Sequence, residues 1–316
     1  MHLTVVMSVL NGEKYLQEAV ESILNQTYPD FTFIIINNGS SDNTGPILSE
    51  YVTKDSRIKI VTHTETVPLV EARMKGLQMA ETEWVAWMDA DDISEPARLE
   101  KQVEVIKQYH DRLGAVGTWA RYINEEGKIL GNRIGEPVTP EKFFDLYSKN
   151  QAIALVDPSA IVHRPTFLKL GGYRPECTPA GDLDLWYRIA EKGKLILVVP
   201  EFLIKYRVHT GSDSVRKTML QRQKTHFINY NMRRRRSGLP DMEWDTYIKE
   251  VWSSPLYRIP RLRTDLAMTL YKRAGLYFGA GRYVNFLINL LSAGILKPSI
   301  VFKRILSQKL SSSLPN

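Results

Sequence analysis

An α/β fold with a mostly parallel central sheet flanked by helices, followed by a mainly helical C-terminal extension, is the architecture this sequence predicts. Three observations carry the prediction. Short apolar strands alternate with amphipathic helical segments from the amino terminus to Asp92. Clusters of polar residues stand where two of those strands end. Beyond about residue 215 the strand signals stop and a helical, basic pattern takes over.

The elements follow in order. Leu3 to Leu10 is β-branched and apolar, a buried strand. After Asn11-Gly12, the residues Leu16, Ala19, Val20, Ile23 and Leu24 recur at helical spacing and form one apolar stripe. Pro29 closes that segment, and Phe31 to Ile36 reads as a second buried strand. The turn Asn37-Asn38-Gly39-Ser40-Ser41-Asp42 tolerates left-handed backbone and caps the next helix. Arg57 to Val61 is a short strand, Leu69 to Ala80 a helix, and Trp84 to Met88 a strand that runs into Asp89-Ala90-Asp91-Asp92. Helices follow at 97–110 and 182–192, with strands near 115–123, 159–163 and 195–208. In sheets of this kind ligands bind beyond the carboxyl ends of the strands, where both polar clusters, 37–42 and 89–92, are placed.

Composition narrows the class. The 316 residues are 43% hydrophobic and 24% charged, which excludes a disordered or fibrous chain. A single cysteine, Cys177, excludes an internal disulfide and a thiolate zinc site, and fits a reducing compartment. The amino terminus lacks a basic n-region and a small-residue cleavage site. No apolar run approaches the ~20 residues that span a bilayer, so a soluble or peripheral protein is expected. The net charge of +7 divides unevenly: residues 1–200 hold 21 Lys and Arg against 28 Asp and Glu, and the remainder 21 against 7. A basic last third suits an anionic membrane, a nucleic acid or an acidic glycan. The acidic first part and the lack of nucleic-acid motifs argue against nucleic acid.

Three acids within four positions, Asp89, Asp91 and Asp92, repel one another unless a cation compensates. Hard divalent cations such as Mg²⁺ take carboxylate oxygens and keep positions open for substrate phosphates. The competing structural role is a helix N-terminus, where acids favour the dipole; Asp92 and Glu95, ahead of a helix from Pro96 to Tyr109, suit it. Tyr15, Trp84, Trp87, Trp119 and Trp186 read as core rather than ligand platforms. His163 reads as a satisfied polar residue. Asp157 either caps a turn or lines a ligand pocket, and Arg233 to Arg236 reads as a solvated face.

The segments VVMSVLNGEKYLQEAVESILNQTYPDFTFIIINNGSSDNT, EARMKGLQMAETEWVAWMDADDISEPARLEKQ, GDLDLWYRIAEKGK and YRVHTGS, in this order, together resemble a family 2 glycosyltransferase over about residues 1–215. These are inverting nucleotide-sugar enzymes with the GT-A fold. The resemblance implies a catalytic domain at 1–215, with a nucleotide-sugar half at about 1–112 and an acceptor half at about 113–215. A basic helical extension follows at 216–316.

The resemblance also implies a role for each matched position. Asp89-Ala90-Asp91 matches the DxD motif, with Asp91 the principal metal ligand and Asp89 near the donor ribose or the metal. Val9, Leu10 and Asn11 floor the nucleotide pocket. Asn37 and Asn38 stand where an Asp-Asp pair usually contacts the base, and Arg73 where an arginine lies against the base or phosphates. Asp182 matches the catalytic base, Trp186 and Arg188 continue its motif on the acceptor side with Asp157, and His209 matches a histidine near the metal or diphosphate. The implied activity is a metal-dependent, hexosyltransferase-type inverting transfer with Mn²⁺ or Mg²⁺. It moves a sugar from a nucleotide-diphosphate sugar to a hydroxyl of a glycan or lipid-linked acceptor, in cell-surface polysaccharide biosynthesis.

The chemistry agrees: a carboxylate must take the acceptor proton, a metal stabilises the leaving diphosphate, and the transition state is oxocarbenium-like. Departures from the family pattern are Asn37 and Asn38 in place of acids, Gly181 in place of glutamate, and Met74 and Leu10 in place of more polar residues. They leave Asp184 as an alternate base, and a catalytically impaired nucleotide-sugar-binding homologue as the alternative function. Residues 263–308 mix apolar and basic side chains, either a helical appendage packed on the catalytic domain or an amphipathic surface that lies on anionic lipid. The family resemblance implies a cytoplasmic protein attached peripherally at the inner membrane face.

Overall fold

The computed structural model describes residues 1–209, 217–279, 281–299 and 301–302. Thr210, Gly211 and Ser212 of the last motif, and residues 303–308 of the basic stretch, lie outside the described residues. The chain divides into two compact units. The first holds Met1–Arg121, Arg133–Pro175 and Leu185–Arg207; the second holds Tyr122–Asn132, Glu176–Asp184 and Val208–Asn316.

The first unit is built on strands β1 (Leu3–Val9), β2 (Phe31–Asn37), β3 (Ile58–Thr62) and β4 (Trp84–Asp89). Helices α1 (Leu16–Leu24), α2 (Thr44–Lys54) and α3 (Leu69–Met79) connect them. The order β3-β2-β1-β4 is parallel throughout and reverses direction between β1 and β4. A parallel sheet needs both faces covered, which is why these strands read as continuous apolar runs: Val5, Val6, Met7, Phe33, Ile35, Ile36, Val85 and Ala86 are all buried. Gly76 on α3 lies against Val6, where a Cβ would come within 2.4 Å of a methyl carbon. The first apolar stripe forms α1 as expected, with Leu16, Ala19, Val20 and Ile23 buried; the helix stops at Leu24, five residues ahead of Pro29.

Past β4 the sheet changes character. The two-residue β5 (Ile93–Ser94) leads to α4 (Arg98–Tyr109), β6 (Leu113–Ile123) and β7 (Ile129–Arg133). Then come α5 (Pro140–Ser148), β8 (Ile161–His163), α6 (Arg164–Lys169), α7 (Gly181–Glu191) and β9 (Leu195–Arg207). The sheet continues β4-β8-β6-β9-β5. β8 runs antiparallel to β4 and β6, and β5 antiparallel to β9. The parallel part is therefore confined to the first four strands. Trp84, Trp87 and Trp186 are all buried in this core, as their size predicts.

In the second unit, α8 (Thr218–Arg236), α9 (Trp244–Tyr247), α10 (Pro255–Gly279) and α11 (Tyr283–Leu296) make the helical extension. Its core is aromatic: Phe227 meets Trp244 edge-on at 5.2 Å and Tyr247 at 5.3 Å. His226 stacks on Trp252 and bonds the buried Asp265 carboxylate at 2.8 Å. The arginine run at the end of α8 differs from a simple solvated face. Arg235 pairs with Asp241 at 2.9 Å, and the Arg234 Nε donates to the Pro240 carbonyl. No helix among the described residues is long and apolar enough to cross a membrane.

Candidate active site

The carboxyl ends of β1, β2 and β4 meet where the strand order reverses, and the candidate site in the first unit is assembled there. The loops after β1 and β2 are tied to each other. The Asn11 N–H donates to Ser40 Oγ at 3.0 Å, the Asn11 side-chain oxygen accepts from Ser41 N–H at 2.9 Å, and Gly12 N–H donates to Thr44 Oγ1 at 2.8 Å. Asp42 caps the start of α2 by accepting from Thr44 N–H. Val9 is buried beneath these loops and Leu10 is exposed beside them.

Asn37 and Asn38 are both buried. Asn37 Oδ1 accepts from Ser40 N–H at 3.2 Å. Asn38 uses both halves of its amide on one backbone residue: Nδ2 donates to Val67 O at 2.8 Å and Oδ1 accepts from Val67 N–H at 3.1 Å. An aspartate there would have no N–H to give the Val67 carbonyl. Gly39 follows at φ +75°, with the backbone of Glu65 and Thr66 2.8 Å from where a Cβ would lie.

Asp89, Asp91 and Asp92 place carboxylate oxygens within 4.8 Å of one another at the end of β4. Arginines surround them. Arg73, on α3, pairs with Asp89 at 2.5 Å and with Asp157, and lies 5.8 Å from the centre of the Trp87 ring. Burial opposes its charge, but Asp157 and Asp89 outweigh that and hold the guanidinium well above its ordinary value. Tyr173 hydroxyl reaches the other Asp157 oxygen at 3.4 Å. Arg98 is wholly buried beneath the loop, donating to Trp87 O at 2.8 Å and to Gln102 Oε1 at 3.1 Å. Burial lowers its pKa to about 10, against the pull of Asp92 and Asp89.

Arg207, the last residue of β9, closes the loop from the other side. Its backbone N–H donates to Asp92 Oδ1 at 2.8 Å and its Nε to the Asp91 carbonyl at 2.8 Å. The guanidinium pairs with Glu18 at 2.5 Å and stacks 4.4 Å from the Tyr15 ring centre. Asp92 thus binds a strand end rather than the start of α4, which begins six residues later at Arg98.

The second oxygen of Asp92, Oδ2, is buried and has no hydrogen-bond partner. Burial first, then Asp91 and Asp89, push the Asp92 carboxyl well above the usual carboxylate range. Burial also raises Asp89, against Arg73. Converging carboxylates with one buried oxygen left over form a donor set that suits a hard divalent cation.

The remaining expected residues are placed as follows. Trp186 is buried in the sheet core with its indole N–H unpartnered, and Arg188 is buried and donates to Leu170 O and Gly172 O at 2.7 and 2.6 Å. In the second unit, Asp182 stands half-buried in the first turn of α7, Asp184 is buried, 3.9 Å from Arg235, and His209 is half-buried. Arg98, Arg207 and Glu18 carry no site signal in the sequence, where Asp92 suits a helix start as well as the acidic cluster.

Residues 4–170 match the model of glycosyl transferase family 2. The chain belongs to that family. An uncharacterised glycosyltransferase of Methanocaldococcus jannaschii is 32% identical over 72% of this chain and 80% of its own length. The O-antigen biosynthesis glycosyltransferase WbnJ of Escherichia coli is 34% identical over 66% of this chain and 81% of its own. Among solved structures, the mannosyltransferase PcManGT from Pyrobaculum calidifontis, in complex with GDP-Man and Mn²⁺, superposes with a TM-score of 0.58 at 17% identity, covering 93% of this chain and 86% of that one. S. aureus TarS 1-349 in complex with UDP-GlcNAc gives 0.53 at 16%, covering 93% and 91%. At such identities the likeness is one of fold, and the family 2 chain has the GT-A architecture its motifs imply.

Proposed function

We propose that this family 2 member transfers a sugar, with inversion, from a nucleotide-diphosphate sugar to a hydroxyl of a glycan or lipid-linked acceptor in cell-surface polysaccharide assembly. The observation that carries the reading is the acidic cluster at the β4 end, with its partnerless Asp92 oxygen at the sheet's switch point. Relatives point to the same process: WbnJ is named for O-antigen biosynthesis, and TuaG of Bacillus subtilis, 27% identical, as a putative teichuronic acid enzyme.

Each residue's part follows from its chemistry. Asp89, Asp91 and Asp92 would hold a divalent cation, Mn²⁺ or Mg²⁺, which when bound supplies Lewis-acid stabilisation of a leaving diphosphate. Arg73 fixes the Asp89 carboxylate from behind, so its role is to orient that acid rather than to meet the base directly. Val9, Asn11, Asn37 and the Asn38-clamped 63–67 loop form the nucleotide side. Asp182 is the base that takes the proton of the acceptor hydroxyl as that oxygen attacks the anomeric carbon in line. It is favoured over Asp184 because Asp184 is buried beside Arg235, whereas a base must come within hydrogen-bond reach of its substrate. His209 is the candidate diphosphate contact.

The test is calorimetry with a panel of nucleoside diphosphates, each with and without Mn²⁺, followed by transfer assays. Cation-dependent binding of one nucleotide, lost in Asp91→Asn and kept in an inactive Asp182→Asn, is the expected pattern. Undiminished transfer by Asp182→Asn would remove the base assignment. Binding without transfer to any acceptor, and without donor hydrolysis, would favour the impaired homologue.

A further inference from the structure

Helix α11 carries no charged residue in its 14 positions. One side packs inward: Ala293 is buried, and Phe286 meets Phe278 of α10 at 5.2 Å. The other side is bare. Val284, Leu287, Ile288, Leu291 and Ile295 are between 52% and 79% exposed, and their spacing sets them on one stripe along the helix. Leu256 and Ile259 near the start of α10 are more than half exposed as well. Continuous apolar surface of this kind marks a place where something docks.

The charges around it identify the occupant. Exposed Arg282 stands at the N-terminal end of α11. At the other end, Lys297 bonds Thr264 Oγ1 at 2.7 Å, and exposed Arg263 donates to the Leu296 carbonyl at 2.5 Å. From residue 266 to the end the sequence holds seven Lys and Arg and no Asp or Glu. A second copy of the chain meeting this face across a two-fold axis would set cation against cation with no acid to answer. An anionic bilayer meets both demands, acyl chains for the stripe and phosphate headgroups for its ends. Fourteen residues at ~1.5 Å each span about 21 Å, short of the ~30 Å hydrocarbon core, so the helix lies in the interface plane rather than across it.

We propose that α11 is a membrane-docking helix. It sinks the Val284–Ile295 stripe into the headgroup boundary of an anionic lipid surface, while Arg263, Arg282 and Lys297 engage headgroup phosphates. The proposal stands apart from the transferase reading, because lipid binding is measured without donor or cation.

The experiment is co-sedimentation of the full chain with vesicles of phosphatidylcholine alone and with 30% phosphatidylglycerol (roughly the anionic content of a lipid surface of the kind invoked). Expected is partitioning onto the anionic vesicles only, weakened by salt. Leu287→Ser with Leu291→Ser should cut it more than ~10-fold, and Arg263→Gln or Arg282→Gln about fivefold each. Leu287, Leu291 and Arg282 are exposed, so circular dichroism and thermal melting of those variants should match the parent. Equal binding to neutral vesicles, undiminished binding by the double serine variant, or a solution dimer that this variant converts to monomer would each overturn the proposal. Loss of sugar transfer with vesicle binding intact would bear on the reaction alone.

Discussion

Replacing Arg207 by alanine should weaken the cation site while leaving all three aspartates, Asp89, Asp91 and Asp92, in place. Its side-chain contacts include Nε to the Asp91 carbonyl, an ion pair with Glu18, and a stack on Tyr15. A hydrogen bond from a charged donor contributes about 1.5–3 kcal/mol. The Glu18 pair is worth no more than ~1 kcal/mol, since Glu18 is 55% exposed. The ring contact adds about 0.5–1 kcal/mol. The loss sums to about 3 kcal/mol, and melting should fall by several degrees. The informative readout is a cation titration of nucleotide binding. Groups that orient metal ligands typically change affinity by ~10–100-fold, so the Mn²⁺ midpoint should rise by that factor. Saturating Mn²⁺ should then restore most of the turnover. Arg207→Lys keeps a charge but not the planar fork, and should fall between the two. If melting drops while the Mn²⁺ midpoint stays at the parent value, Arg207 is only a structural residue and the reasoning fails.

Two further outcomes follow from the same loop and its neighbour. Asp92 has a folded pKa raised above its unfolded value, so its favourable contribution is present below about pH 4 and is lost as pH rises through the raised value. Asp92→Asn, which keeps the acceptor for Arg207 N–H, should therefore melt higher than the parent at neutral pH without cation, with the gap closing towards pH 4. The cation-induced gain, ~2.7 kcal/mol at 100-fold excess over Kd, should shrink; a lower cation-free melting point would contradict this. Gly39→Ala forces a side chain into left-handed backbone, costing ~1–2 kcal/mol, and into the Glu65–Thr66 backbone. Nucleotide binding should weaken while the cation midpoint holds, a split that parallel titrations would detect.

Much of the fold could be read directly. β1, β2 and β4 are buried on both faces, so their apolar runs stand out, and the spacing of Leu16 to Ile23 matches α1. The two-residue β5 and the six-residue α6 are too short for a period to declare itself. For the site, Asp89 and Asp91 were visible because a strand end points to ligands. Asp92 resembled an ordinary helix-start acid because its partner, Arg207, lies 115 residues away. Arg98, on the first turn of α4, carries no sequence signal of its own, and it turns inward to the Trp87 carbonyl. A contact that spans 115 residues leaves no local pattern. The Asn38 substitution was visible too, but only as a departure; the Val67 bridge that explains it was not.

That bridge constrains how this sequence can change. An Asn38→Asp replacement, which would restore the family's second acid, sets a carboxylate oxygen against the Val67 carbonyl and severs one side of the clamp. The 63–67 segment would have to re-route at the same time. The asparagine and its loop are therefore locked together as a pair, and a lineage carrying them returns to the acidic form only through a joint change. Substitutions at 38 and at 63–67 should accordingly appear together among relatives, and single swaps between the two forms should be the poorly folding ones.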